Sequence, residues 1–291
     1  MLSRTMAKTV AIVGAGRVGQ SLGRALRRRG YRIGAVVARS TRSARRAVKF
    51  IGAGKPLARV EPALLAANVV LVATPDGQVA EAAGALARLK GGWRGKVVLH
   101  TSGALSASAL ARVKRCGAAV GSLHPIWPFP KPIKILPRGI VFGIDGDLRA
   151  RRQARALVRA LGGVPMEIRA GEKALYHAAA ALVAGHLMTL IDMGTRMLRR
   201  TGVPERRARQ ALLPLVQQMV AGYARLGTRA WTGPLERGDA DTVRRHLKAL
   251  RRLPPVYRRV YAALAEAGLE LFCRDRGQTT RALRRVLKKG R

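Results

Sequence analysis

Side chains able to handle protons gather at three places in the chain: His100-Thr101-Ser102-Gly103, Ser122-Leu123-His124-Pro125 and Lys173-Ala174-Leu175-Tyr176-His177. Imidazole titrates near neutral pH, which suits general acid–base work. The first two segments close apolar runs, so Ser102 and His124 fall at strand ends. Lys173 and His177 are four residues apart and share one face of a helix, with Tyr176 beside it. We read His124 as an acid/base group and Lys173 or His177 as the group that polarises a reacting oxygen or nitrogen. Ser102 and Tyr176 are read as positioning a small substrate. The bland alternative is an imidazole that hydrogen-bonds its own loop and a helix packed for its own sake.

A second kind of chemistry is written at Gly14-Ala15-Gly16-Arg17-Val18-Gly19. The glycines follow the apolar run Thr9–Val13 and open an amphipathic stretch. In that context Gly14 permits a tight turn, Gly16 admits a pyrophosphate to the backbone, and Gly19 lets helix and strand pack closely. The helix that starts at Arg17 and Val18 offers free N–H groups and a positive dipole end to phosphates. About 20 residues on, a site selective for NAD carries an acidic residue that holds the ribose 2′-hydroxyl. Here Arg39-Ser40-Thr41-Arg42 occupies that place, with a guanidinium and hydroxyls suited to a 2′-phosphate. NADP(H) is therefore the expected cofactor. Thr74-Pro75-Asp76 ends another apolar run and is expected to line the nicotinamide ribose.

These residues need a scaffold that brings strand ends to one rim. The first half of the chain alternates short apolar runs with amphipathic stretches, which is the pattern of repeated βα units and a parallel sheet. Strands are expected at Thr9–Val13, Arg32–Ala38, Val69–Ala73, Lys96–His100, Ala119–Leu123, Gly139–Gly143 and Pro165–Ile168. Helices are expected between them, at Val18–Arg29, Ser43–Phe50, Gly77–Leu89, Ser106–Arg115 and Asp147–Leu161. After Gly171 only helical segments follow: Glu172–Arg200, Pro204–Leu226, one turn at Pro234–Arg237, Asp241–Leu250 and Val256–Arg274. The fold class is thus α/β, a Rossmann domain with a mostly parallel sheet over residues 1–168, then an all-α domain over 169–291. Near Thr232-Gly233-Pro234, Arg237 is placed either to clamp a substrate carboxylate or to make a dimer contact, and Asp239 or Asp241 to cap the next helix.

Composition narrows the rest. The 291 residues carry 56 Lys and Arg against 15 Asp and Glu, a formal charge of +41, and 44 of the 56 are arginines. The basic residues fall in short clusters on helix-patterned stretches, so solvated helix faces account for them. Aromatic residues make only 4% of the chain, too few for stacking platforms, and no nucleic-acid-binding motif is written. Non-specific adhesion to nucleic acid is expected, and specific recognition is not. Apolar residues at 48% exclude intrinsic disorder. The two cysteines, Cys116 and Cys273, have no metal-ligand spacing, so neither a disulfide framework nor a metal site is expected. The apolar run Ala178–Ile191 is shorter than the roughly 20 residues that span a bilayer, so the expectation is a cytoplasmic protein without a membrane segment.

Taken together, Gly14–Gly19, Val98-Leu99-His100-Thr101-Ser102-Gly103-Ala104-Leu105 and Gly121-Ser122-Leu123-His124-Pro125 resemble the Rossmann-like proteins that carry a DUF2520 C-terminal domain. So do Lys173–Ala179, Leu213-Pro214-Leu215 and Thr232–Asp239 with Thr242-Val243 and His246-Leu247. The resemblance runs in order from about residue 9 to about 250. It implies an NADP-dependent oxidoreductase of the 6-phosphogluconate dehydrogenase-like superfamily, with a helical domain that builds a homodimer. Ser102-Gly103 and His124-Pro125 are also similar to the prephenate dehydrogenase pattern, where a Ser and a His-Pro contact substrate. Lys173 is similar to the catalytic lysine of β-hydroxyacid dehydrogenases, but His177 stands where those have Asn, and Gly185-His186 replaces the family's Ser-Asn. Two rival readings stay open: a non-catalytic NADP-binding regulator or scaffold, and a basic nucleic-acid-associated Rossmann protein.

Overall fold

The computed structural model describes residues 8–273 and 277–289. The ends of the expected domains (residues 1–7, and 290 and 291) and the end of the expected last long helix, Arg274, lie outside the described residues. The chain forms two compact units, Met1–Gly185 and His186–Arg291. The first is a sheet unit. Its strands are β1 (Thr9–Val13), β2 (Arg32–Val37), β3 (Lys55–Leu57), β4 (Val69–Val72), β5 (Val97–His100), β6 (Ala119–Pro125), β7 (Val141–Gly146) and β8 (Val164–Glu167). They form one sheet in the order β3-β2-β1-β4-β5-β6-β7-β8. Helices α1 (Arg17–Arg28), α2 (Thr41–Ile51), α3 (Asp76–Ala87), α4 (Ala111–Arg115) and α5 (Leu148–Ala160) connect them, and α6 (Lys173–Ala181) follows β8.

The apolar runs of β1, β4 and β5 are fully buried because helices cover both faces of the sheet. On one face Ile12, Leu71, Leu99, Leu123 and Ile144 pack with Leu22, Ile51 and Leu157. On the other, Ala11, Val70, Val98 and Val120 pack with Val79, Leu86, Leu110 and Trp93. Every pairing is parallel except β6 with β7, which is antiparallel. The reason lies in the connection. Residues 126–140 contain no helix, whereas a parallel return requires a crossover that is usually helical. The three-residue edge strand β3 was not legible, being too short to show a period of two.

The second unit holds α7 (Leu187–Arg200), α8 (Glu205–Leu226), α9 (Ala240–Leu250), α10 (Pro255–Phe272) and α11 (Gln278–Lys289). Its core is Val243, Leu247, Ala262, Ala265, Leu269, Leu283 and Leu287. The expected turn of helix at Pro234–Arg237 is a set of hydrogen-bonded turns instead, and Asp239 caps α9 by accepting from the Thr242 N–H at 2.9 Å. Leu215, Met219, Val220, Tyr223 and Leu226 leave an apolar stripe exposed along α8.

The compact sheet unit ends at Gly185 rather than near residue 168, because the first turns of α6 insert side chains into it. The helical stretch Ala170–Arg200 is 31 residues long, with a window of mean hydropathy 1.5. By length and composition alone it is long and apolar enough to cross a membrane, which the shorter run Ala178–Ile191 was not. Its N-terminal turns, however, carry the buried Lys173 and the half-buried Tyr176 and His177.

Candidate functional site

The glycine loop closes β1 with the geometry that phosphate binding needs. Gly14 has φ +91°, and a Cβ there would lie 2.5 Å from the Thr74 backbone N, so only glycine fits. Around Gly16 a Cβ would meet nothing within 4 Å, which leaves open space where the helix begins. Gly16 is the N-cap of α1, no side chain caps it, and the first turn holds no acid. The Thr74 hydroxyl is buried and has no hydrogen-bond partner among the described residues. Unsatisfied donors at a helix start, an open approach and an orphaned hydroxyl together fit a dinucleotide pyrophosphate. Arg17 is exposed and donates to the Pro130 carbonyl at 3.3 Å, while Val18 packs its side chain on the core and offers only backbone to a phosphate. At the end of β2, Arg39 is exposed, and Ser40 accepts from the Ser43 N–H as the cap of α2. Pro75 and Asp76 are exposed at the start of α3.

The proton-handling residues are assembled by the antiparallel pair. Its register sets Ser122 opposite Asp145 and His124 opposite Gly143. Alternation along each strand then puts all four on one face, with Leu123 and Ile144 turned to the core behind. Ser122 donates to the Asp145 carboxyl in a short hydrogen bond, and the other Asp145 oxygen accepts from the Ala107 N–H at 3.1 Å. Lys173, only 2% exposed, reaches in from α6 and donates to Ser122 Oγ at 3.0 Å and to the Ser102 carbonyl at 3.4 Å. One turn on, the Tyr176 hydroxyl meets His124 Nδ1 at 2.7 Å, and the His124 and His177 rings stand edge to face at 5.9 Å.

Two glycines make room for this. A Cβ on Gly143 would lie 2.6 Å from Tyr176 Cζ, and one on Gly103 would lie 2.6 Å from His177 and 2.8 Å from His124. Lys173 Nζ is 5.2 Å from the centre of the Tyr176 ring. Burial pulls the Lys173 pKa below its ordinary value, against the opposing pull of Asp145 and Asp76. Burial likewise raises the Tyr176 phenol to about 12. His124 is lowered to about 4, first by burial and then by the charges of Lys173 and His177. At neutral pH His124 is uncharged and Tyr176 keeps its proton, and the imidazole tautomer sets which of the two donates their hydrogen bond.

So the structure brings His124, Lys173 and His177 together, and Tyr176 enters as a direct partner of His124. Ser102 does not present its hydroxyl outward. It is buried, and its Oγ accepts from the Ala104 and Leu105 N–H groups, so it shapes the loop and lends Lys173 a carbonyl. Arg237 sits on an exposed turn of the second unit. Sequence reasoning missed Asp145, Ser122 and Gly143. The one available signal was an acid, Asp145, inside an otherwise apolar strand. His100 is also buried, and its ring is held by the Ser106 carbonyl and the Ser102 N–H.

The burial of His124 has a consequence for stability. In the unfolded chain this imidazole titrates near its ordinary 6.5, and in the folded protein near 4. Between those values the unfolded chain binds more protons, so stability rises with pH there and is lost as the pH falls from about 6.5 to about 4. His100, also lowered by burial, acts in the same sense. His124→Gln should flatten the curve across that window. Urea midpoints that fall equally in both proteins over this range would contradict the assignment.

Comparison with known proteins agrees with this architecture. Residues 3–125 match the Rossmann-like domain, and residues 140–267 match the domain of unknown function DUF2520. No curated protein matches the chain in sequence. A Bacteroides fragilis protein provisionally described as an NADP oxidoreductase is similar in structure, with TM-score 0.72 and 23% identity over 91% of this chain and 98% of that one. The reductive aminase of Aspergillus terreus, solved with NADPH and ethyl levulinate, aligns with TM-score 0.69 and 18% identity over 96% of this chain and 99% of that one. A pyrroline-5-carboxylate reductase of Coxiella burnetii aligns with TM-score 0.57 and 14% identity over 98% and 97%. At these identities the likeness is one of fold alone. The chain thus carries a Rossmann-like domain followed by a DUF2520 domain.

Proposed function

We propose that this protein is an NADP(H)-dependent oxidoreductase acting on a small C=N or C=O compound, or on the matching amine or alcohol. The observation that carries the reading is the Tyr176–His124 hydrogen bond, flanked by Lys173 and His177, at the same edge of the sheet as the glycine loop. β1 and β6 point the same way in the sheet, so their C-terminal ends, Val13 and Pro125, share that edge. This is where open α/β sheets bind their ligands. Relatives of the same fold that are described as a reductive aminase and a pyrroline-5-carboxylate reductase favour an imine over other substrates.

Gly14, Gly16 and the start of α1 would hold the pyrophosphate, and Arg39 the 2′-phosphate. The bound nicotinamide would supply or receive the hydride. The protein's own task is the proton. Tyr176 would donate its O–H to the Nδ1 of neutral His124, which can pass a proton back, and the Lys173 charge would favour a phenolate while the proton is away. The exposed apolar stripe on α8 fits a helical unit that pairs with a second copy of the chain.

The test is NADPH oxidation against a panel of small imines, ketones and aldehydes. Wild type should turn over at least one of them. His124→Ala should keep its NADPH affinity and lose about 10²-fold or more in turnover. Arg39→Asp should weaken NADPH binding. A protein that binds NADPH and turns over no member of the panel is the regulator of the rival reading. Full turnover in His124→Ala overturns the proton assignment, and a single-chain mass by light scattering overturns the pairing.

A further inference from the structure

Within the helical unit, α9 and α11 enclose a groove of about 480 Å³ lined by Arg244, Leu247, Lys248, Arg251, Ala282, Arg285 and Val286. Positions 244, 247, 248 and 251 fall on one face of α9, and 282, 285 and 286 on one face of α11, by the spacing of three and four that helices impose. The floor is apolar. Leu247 is 4% exposed and belongs to the core, and Val286 packs against that core. The rim carries four cations. Among the described residues Arg244 alone of the four is ion-paired, with Asp241.

Around one concavity, three cations without an acidic partner among the described residues sum to a positive potential that favours an anion there. Two other concavities gather cations, but there Arg196 and Arg199 are ion-paired and Lys8 and Arg149 donate to Gln153 and the Gly95 carbonyl, whereas Lys248, Arg251 and Arg285 converge on an apolar floor. A volume of this size is that of a site for a small organic ligand. Arginine and lysine together match phosphate oxygens, the guanidinium in a two-point fork and the ammonium as a point charge. No aromatic residue lines the groove, so base stacking is not what it offers.

We infer that this groove binds an organic phosphate, with the phosphate held by Lys248, Arg251 and Arg285 and an aliphatic body lying on Leu247 and Val286. It is separate from the proton-handling cluster of the sheet unit and independent of the proposed oxidoreductase activity.

Octyl phosphate titrated into the full-length protein by calorimetry is the probe. Saturable one-to-one binding is expected, tighter than that of inorganic phosphate and of neutral octyl glucoside. Lys248→Glu with Arg285→Glu should weaken it about tenfold or more, as expected for loss of charge-assisted contacts. Lys90→Glu with Arg115→Glu, which changes the net charge equally at exposed positions of the other unit, should leave it unchanged. The milder pair Lys248→Gln with Arg285→Gln serves if the reversal impairs folding. Equal loss in both charge-reversed proteins, octyl glucoside binding as well as octyl phosphate, or no saturable binding would each overturn the assignment. A short DNA duplex that binds through Lys248 and Arg285 more tightly than octyl phosphate would also overturn it, in favour of a polymer backbone.

Discussion

Lys173→Met should destabilise the protein by about 2–4 kcal/mol, the size expected when one member of a buried polar network is removed and its partners stay behind. Methionine fills nearly the same volume, so a cavity contributes little to that cost. The cost comes from what Lys173 leaves unpaired. Ser122 Oγ and the Ser102 carbonyl lose their donor, and the Asp145 carboxyl, 2% exposed in its residue, is left with Ser122 and the Ala107 N–H. Denaturant unfolding measures this as a lower midpoint at unchanged slope. Adding Asp145→Asn should recover part of the loss, since neutralising the acid removes the charge that Lys173 balanced. A double variant whose loss equals the sum of the two single losses would show that Lys173 and Asp145 do not interact.

Tyr176→Phe should lower turnover by about 10²–10³-fold at unchanged NADPH affinity, because it deletes the only hydroxyl that hydrogen-bonds His124 among the described residues. Gly143→Ala should reach nearly the same low rate by another route. Its new methyl would lie 2.6 Å from Tyr176 Cζ and close to the hydroxyl itself, so the ring must leave His124. The two changes remove one interaction and should not add: the double variant should be about as slow as the slower single one. Wild-type turnover in Tyr176→Phe would take Tyr176 out of the proton path and leave His124 to act with His177 or with water.

Much of the sheet unit was legible because it rests on local patterns. A short apolar run bounded by glycine or proline reads as a buried strand. The spacing of Gly14, Gly16 and Gly19 reads as a phosphate turn, and His124-Pro125 reads as a strand end. Lys173 and His177 could be placed on one helical face from their separation alone. The limits of this reading show where burial replaces periodicity. Ser102 carries the same residue type and the same strand-end position as a substrate contact, yet two N–H groups of its own loop claim its oxygen. No pattern along the chain distinguishes a serine turned inward from one turned out.

The sequence by itself determined that a βα-repeating unit with a dinucleotide turn precedes a helical one, since amphipathic period and glycine position are properties of neighbouring residues. It also placed His124, Lys173 and His177 at edges and faces where they are available to a site. Only the tertiary structure decided what they do to one another. The decisive element is the reversed strand β7: it sets Asp145 against Ser122 and Gly143 against His124, so that one pair holds Lys173 and the other leaves space for Tyr176. Those partners lie 19 to 52 residues apart in the chain. Such contacts depend on strand direction and register, and a shift of β7 by one residue would turn Asp145 to the opposite face and put a side chain where Gly143 leaves space.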